Sequence, residues 1–429
     1  MSSVEPAANA VQLRHVCQRA SIRWIAAAAI FIAVIPTAIY AEGPRVFLLD
    51  GAQLQQARER IANGDTQFGP ALASLYRDAN RALHVGPFSV VNKEVVPPGG
   101  DQHDYVSLAP YWWPNPNTRD GLPYIQRDGE RNPDAYKVRN RHDLGELSDS
   151  LETLSLAYYF TRDEKYAERA RQLIRTWFFE PKTRMNPNFK FAQAIRGVNT
   201  GRGLGLIESR LFTKVVDAAG LLDGSKAWTH DDQQELEHWF TSYLQWMLTS
   251  DHGRDEARAK NNHGTYYDIQ VASFALFLGK KDLATEVLQN AKMKRIAVQI
   301  EPDGRQPFEL VRTKAWSYSI GNLSGLMSLA RLGEHVGVDL WHYKTPDGRS
   351  IREALDFLLP FGIGDQKWPY QQIGGISSHA IYPLLRQAAA KYPESPYREL
   401  LTKLPTNDPT SRSNLLFPRP ESAAQLRLK

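Results

Sequence analysis

The chain has 429 residues, is 42% hydrophobic and 23% charged, and carries ten Trp, eighteen Tyr and seventeen Phe. That supply of apolar side chains excludes a disordered or fibrous protein, and with no compositional break a single large domain is expected. A net charge of +5 suits an anionic partner but is too slight for a nucleic-acid-binding protein, and the one cysteine, Cys17, excludes a disulfide framework, a CxxC zinc site and an iron–sulfur cluster.

Arg14, Arg19 and Arg23 precede a mostly apolar run from Trp24 to Tyr40, and polarity returns at Glu42-Gly43-Pro44 after Ala41. Basic, then apolar, then a small residue reads as a secretory signal over residues 1–41, which places the mature protein in the periplasm or outside the cell. The run is near the lower length limit of a spanning helix, so an uncleaved anchor is the alternative, and only then is a membrane a partner. Cleavage after Ala41 lowers the net charge to +3 and removes Cys17.

Beyond Glu42 the pattern is helical. Leu144, Leu147, Leu151, Leu154 and Tyr158 draw one apolar stripe, Thr161-Arg162-Asp163 interrupts it, and Ala167, Ala170, Leu173, Ile174 and Trp177 draw a second. A third stripe, through Leu236, Trp239, Phe240, Tyr243 and Met247, follows a capping pair at Thr229 and Asp232. Others run through Tyr267, Val271, Phe274, Ala275 and Leu278, through Leu283, Val287 and Leu288, through Leu323, Leu326, Met327 and Ala330, and through Ile351, Leu355 and Leu358. Runs alternating with period two are scarce. Successive helical hairpins in one domain predict an all-α fold, either an α/α toroid or a solenoid, over residues 42–404. Residues 405–429, rich in Pro, Ser, Asn and Arg, are expected to form a loosely ordered tail.

Residues 87–133 break the helical pattern with Pro, Gly, Asn and Asp around aromatics, above all Ser107-Leu108-Ala109-Pro110-Tyr111-Trp112-Trp113-Pro114-Asn115-Pro116. So long an irregular stretch in a compact domain is usually functional or disordered, and the aromatics disfavour disorder. Trp112 and Trp113 either plug one end of the helical bundle or line a cleft with ring faces open to sugars.

There is no HExxH, no Walker lysine loop, no GxSxG elbow and no Cys/His cluster. Gly201-Arg202-Gly203-Leu204-Gly205 has the wrong spacing for a phosphate loop and reads as a tight turn entering the next helix. Lys260-Asn261-Asn262-His263-Gly264 suits a helix start that projects Asn262 and His263 from its mouth, where donors meet a carboxylate. On the residues alone, Asn262 as a plain cap and His263 as a core hydrogen-bonder is the plainer reading. Six residues along an α-helix rotate a side chain by roughly 240°, so if Arg312 and Tyr318 share a site, one of them stands outside the helix. An adjacent guanidinium favours phenolate, which would make Tyr318 a proton acceptor at milder pH. A core Tyr318 and a surface Arg312 is the plainer alternative.

The aromatic loop, its continuation Gly121-Leu122-Pro123-Tyr124 through Arg127-Asp128-Gly129-Glu130-Arg131-Asn132-Pro133, the Asn261-Asn262-His263 triplet and the Arg312–Tyr318 segment together resemble the alginate lyase family of helical polysaccharide lyases, over roughly residues 45–385. The resemblance implies an α/α toroid that cleaves a uronate polymer, alginate or polyglucuronate, by β-elimination, with no cofactor and no obligatory metal in the chemical step. It implies that Asn262, His263 and Arg312 stabilise the carboxylate on which charge develops and that Tyr318 moves the proton, with His263 as the reserve base. Tyr111, Trp112, Trp113 and Arg202 are the substrate-binding candidates it carries. Two other classes remain: a toroidal glycoside hydrolase using Asp255, Glu256 or Glu309, and a noncatalytic polysaccharide-binding protein.

Overall fold

The computed structural model describes residues 43–403 and 408–418. The expected export segment, residues 1–41, lies outside them. From Gly43 the chain forms α1 (Gly51–Ala62), α2 (Gly69–Ala82), α3 (Asn140–Thr161), α4 (Glu164–Ile174), α5 (Phe212–Leu221), α6 (His230–Thr249), α7 (Asp251–Arg258), α8 (Asn262–Phe277), α9 (Lys281–Ala291), α10 (Ala297–Gln299), α11 (Pro307–Leu310), α12 (Ala315–Glu334), α13 (Ile351–Gly362), α14 (Tyr382–Lys391), α15 (Tyr397–Lys403) and α16 (Ser413–Leu416). The expected punctuation is there in atomic terms. Arg162 adopts a left-handed φ of 57° and ends α3, and Asp163 caps α4 by accepting the Lys165 N–H at 3.2 Å. Thr229 and Asp232 cap α6 reciprocally, at 3.1 and 3.2 Å, and Asp232 also receives Arg171 and Arg175 at 2.6 and 3.0 Å, tying α6 back to α4.

Helices α3, α5, α8 and α12 pack in series as an inner rank, and α2, α4, α6, α9 and α13 pack against them as an outer one. Burial explains the sequence of each. A helix enclosed on all sides needs apolar or neutral residues all round, and in α8 every residue except His263 and Tyr266 is buried. An outer helix such as α4 buries one stripe, here Tyr166, Ala167, Ala170, Leu173 and Ile174, and keeps charge on its other side. This is why the α8 stripe read from sequence understates how much of that helix is core.

Residues 45–50 form a strap across three inner helices. Phe47, Leu48 and Leu49 donate backbone N–H groups to Asp217 of α5 at 2.6, 3.1 and 2.8 Å; Arg45 reaches the Phe277 carbonyl ending α8 at 2.6 Å; Asp50 pairs with Arg331 of α12 at 2.8 Å.

The irregular region is ordered. Strand β1 (Val106–Leu108) pairs in parallel with β4 (Phe191–Ala194), and β2 (Trp112–Trp113) pairs antiparallel with β3 (Ile125–Gln126), closing the aromatic loop into a hairpin. In the stretch expected to be a loose tail, residues 408–418 are tied down: Leu415 is buried, Asn414 accepts from Arg386 at 2.8 Å, and Arg412 meets Glu152 at 3.4 Å.

Candidate active site

The N-terminus of α8 supplies the first half of the site. Asn261 is the cap, its side chain accepting the His263 N–H at 3.3 Å, which leaves Asn262 and His263 as the first two helical residues. Asn262 is buried, and its backbone N–H and side-chain amide both donate to Glu309 of α11, at 2.7, 2.9 and 3.0 Å. Its amide hydrogens are thus committed to a protein carboxylate, where the sequence suggested free donors. His263 places Nδ1 2.8 Å from Oε1 of the fully buried Glu256 in α7, so Nε2 is the ring nitrogen left open. The turn depends on Gly264, where a Cβ would run into the Ala259 carbonyl and the Arg295 guanidinium. Burial pushes the Glu309 carboxyl above its ordinary range, against the Asn262 hydrogen bonds and the charges of Arg312 and His263.

The second half comes from the corner between α11 and α12. Arg312 stands outside the helix and Tyr318 in its first turn, which is how residues six apart meet. The Arg312 guanidinium carbon lies 3.9 Å from the Tyr318 ring centroid, and Nη2 donates to the phenol oxygen at 3.0 Å. That phenol donates to the Tyr111 hydroxyl at 2.8 Å. Arg312 is oriented by Asp128 of the aromatic loop, which accepts from Nη2 at 2.6 Å and Nε at 3.1 Å and also takes the Thr313 N–H at 3.0 Å. Burial raises the Asp128 carboxyl, but the Arg312 and Thr313 hydrogen bonds outweigh it and hold the group below the usual carboxylate range. For Tyr318 the balance goes the other way. Burial and the bond to Tyr111 raise the phenol, and Arg312 offsets only part of this. The guanidinium therefore does not make Tyr318 acidic, as its sequence position suggested; at neutral pH the resting group is a phenol.

Helices α8 and α12 run in parallel, with the Tyr266 hydroxyl on the Gly321 carbonyl at 3.0 Å and Thr265 on Asn322 at 2.8 Å. Glu309, bonded to Asn262, feels the charges of both Arg312 and His263, which links the mouth of α8 to the corner between α11 and α12. Among the described residues no group of three or more His, Cys, Asp or Glu is placed to hold a metal.

The family model for alginate lyases matches residues 89–368. A crystal structure described as an alginate lyase from Bacteroides ovatus superposes with a TM-score of 0.84 at 39% identity, covering 87% of this chain and 99% of that one. The chain belongs to the alginate lyase family. It is therefore a polysaccharide lyase, with the α/α toroid of that family. Alginate lyase A1-III from Sphingomonas species A1 is similar in fold, with a TM-score of 0.57 at 17% identity over 88% of this chain and 97% of that one. A histidine-to-alanine variant of A1-III complexed with a tetrasaccharide gives 0.56 at 16%, over 89% and 98%. No curated protein matches the chain.

The remaining candidates of this lyase separate. Tyr111 belongs to the cluster. Trp112 packs instead with Ala109, Leu122, Tyr124 and Ile195 in a small apolar cluster apart from the helical core, and Trp113 has Arg127 over its ring at 5.2 Å and its indole N–H on the Glu130 carbonyl at 3.0 Å. Arg202, at the turn before α5, donates to Gln193 at 2.7 Å, while its buried Nε has no hydrogen-bond partner among the described residues. Burial lowers its pKa, against the pull of Glu256 and Glu208. The carboxylates considered for hydrolysis have other tasks: Glu256 holds His263, Glu309 holds Asn262, and Asp255 is exposed. Sequence reasoning missed these two as holding groups, and missed Asp128 although it lies inside the Arg127-Asp128-Gly129 motif.

Proposed function

We propose that this lyase cleaves a uronate polysaccharide, alginate first, by β-elimination. The observation that carries the reading is the Arg312 guanidinium on the Tyr318 phenol oxygen, 3.0 Å away. Elimination removes the C5 proton of a uronate and expels the C4 oxygen, and negative charge spreads into the C6 carboxylate between those events. Donors preorganised toward such developing charge are usually the largest catalytic contribution. His263 through Nε2 and Arg312 occupy that side, and Asn262, fixed by Glu309, sets the mouth of α8. Tyr318 takes the C5 proton as phenolate, steadied by Arg312 and with Tyr111 beside it, and then returns a proton to the leaving oxygen. The similarity to the Bacteroides ovatus structure favours alginate.

The test is incubation with alginate, polyglucuronate and a neutral glucan, followed by analysis of the new ends. Unsaturated, ultraviolet-absorbing uronate ends from a uronate polymer support the reading; saturated ends or an intact polymer overturn it. We also propose that residues 1–41 are an export signal, supported by the order Arg14, Arg19, Arg23, apolar run, Ala41. Mass spectrometry of the native protein should find an N-terminus near Glu42, and an intact Met1 on a soluble cytoplasmic protein contradicts it.

A further inference from the structure

Helix α12 has no cap of its own. Lys314 occupies the N-cap position and its side chain makes no capping bond. The first turn is held instead by a loop 55 residues further on, where Gln372 Oε1 accepts the Ser317 N–H at 3.3 Å and Nε2 donates to the Ser317 hydroxyl at 2.9 Å. The backbone on either side of Gln372 bridges Lys314 antiparallel: Ile373 N–H donates to the Thr313 carbonyl and Ala315 N–H to the Gln371 carbonyl, both at 3.0 Å. Further along the loop, Trp316 donates its indole N–H to the Ser377 carbonyl at 3.2 Å.

These contacts fall on residues 313 to 317, the stretch separating Arg312 from Tyr318. Thr313 is gripped on both sides, its N–H by Asp128 and its carbonyl by Ile373. The corner angle between loop and helix sets where the guanidinium sits on the phenol, and small misplacements of reacting groups cost rate steeply.

We propose that Gln372 is a positioning residue for the Arg312–Tyr318 pair, capping the first turn of α12 from outside so that the two side chains keep their contact. This rests on the elimination chemistry assigned above. Gln372 touches neither reacting group. Its effect passes through Ser317 and the Lys314 bridge.

The experiment compares Gln372→Ala and Gln372→Glu, each alone and in a Tyr318→Phe background, by steady-state kinetics and melting temperature. Removing the amide should lower kcat by about tenfold with KM changed by less than about threefold, because orientation is lost and the rest of the site is kept. Glutamate still accepts the Ser317 N–H, and the Ser317 hydroxyl turns to donate to it, so Gln372→Glu should recover most of the loss. With the phenol gone, Gln372→Ala should add almost nothing to the deficit, the non-additivity of residues that act as a unit. An equal proportional loss in both backgrounds, a loss that glutamate does not rescue, or an unchanged kcat in Gln372→Ala would each overturn the assignment. Normal turnover in Tyr318→Phe alone would instead remove the proton-transfer role of Tyr318 on which it rests.

Discussion

Arg312 lies over Tyr318, its guanidinium carbon 3.9 Å from the ring centroid and Nη2 3.0 Å from the phenol oxygen. Phenylalanine keeps the face on which Arg312 rests and deletes only the oxygen. Tyr318→Phe should therefore fold and bind substrate nearly as the parent does while its turnover drops by at least about a hundredfold, the usual contribution of a proton-transfer group. Single-turnover formation of unsaturated product, beside the melting temperature, checks this; near-normal turnover in the folded variant would pass the role to His263.

The pH dependence follows from the direction of the Tyr318 shift. Burial and Tyr111 raise the phenol above its ordinary value. The base form is the phenolate, and below the pKa of a group its deprotonated fraction grows about tenfold per pH unit. Thus kcat/KM should climb from pH 7 to pH 9 without reaching a plateau set by Tyr318. A profile flat across that interval counts against phenolate as the base.

Asp128→Asn tests the anchor of Arg312. The carboxylate accepts two guanidinium donors and the Thr313 N–H, and charge-assisted bonds of this kind are roughly twice as strong as neutral ones. An amide keeps the shape but brings hydrogens toward Arg312. Turnover should fall by about tenfold or more, with a smaller change in melting temperature. The same carboxyl sits below its ordinary pKa, so its contribution is present above the normal carboxylate range and is lost as pH falls through the folded-state value. Activity unaltered in Asp128→Asn would mean that Asp128 is not what positions Arg312.

Gly264→Ala is a stability prediction. The added methyl has nowhere to go between the Ala259 carbonyl and the Arg295 guanidinium, which itself is bonded to Asp268 at 2.7 Å. Overpacking of this kind typically costs about 1–3 kcal/mol, and it should appear in denaturant unfolding together with a loss of activity, because the displaced backbone carries His263.

How much of this was readable beforehand depends on the range of the interaction. The α3–α4 hairpin was legible because Thr161-Arg162-Asp163 is a local stop and start, and the Thr229–Asp232 cap because its two halves are three residues apart. The rotation between Arg312 and Tyr318 even required one of them to lie off the helix, and Arg312 does. What stayed hidden was pairing at a distance. Glu309 looked like a possible catalytic acid because nothing near it in the chain names Asn262, 47 residues away, as its partner. The phenol of Tyr318 was misjudged for a related reason: the neighbouring arginine is visible in the sequence, and the burial that outweighs it is not.

The strap at residues 45–50 has a practical consequence for anyone handling this chain. Arg45 meets the far end of α8, and a sixteen-residue helix at 1.5 Å per residue is about 22 Å from its first Cα to its last, so the strap and His263 sit at opposite ends of one buried rod. An expression boundary or protease cut placed after Asp50 would leave Asp217 a buried carboxylate without its three amide partners and unfasten α5, α8 and α12 together. A truncation that keeps the fold must therefore retain residues 45–50, and a fusion partner belongs before Arg45.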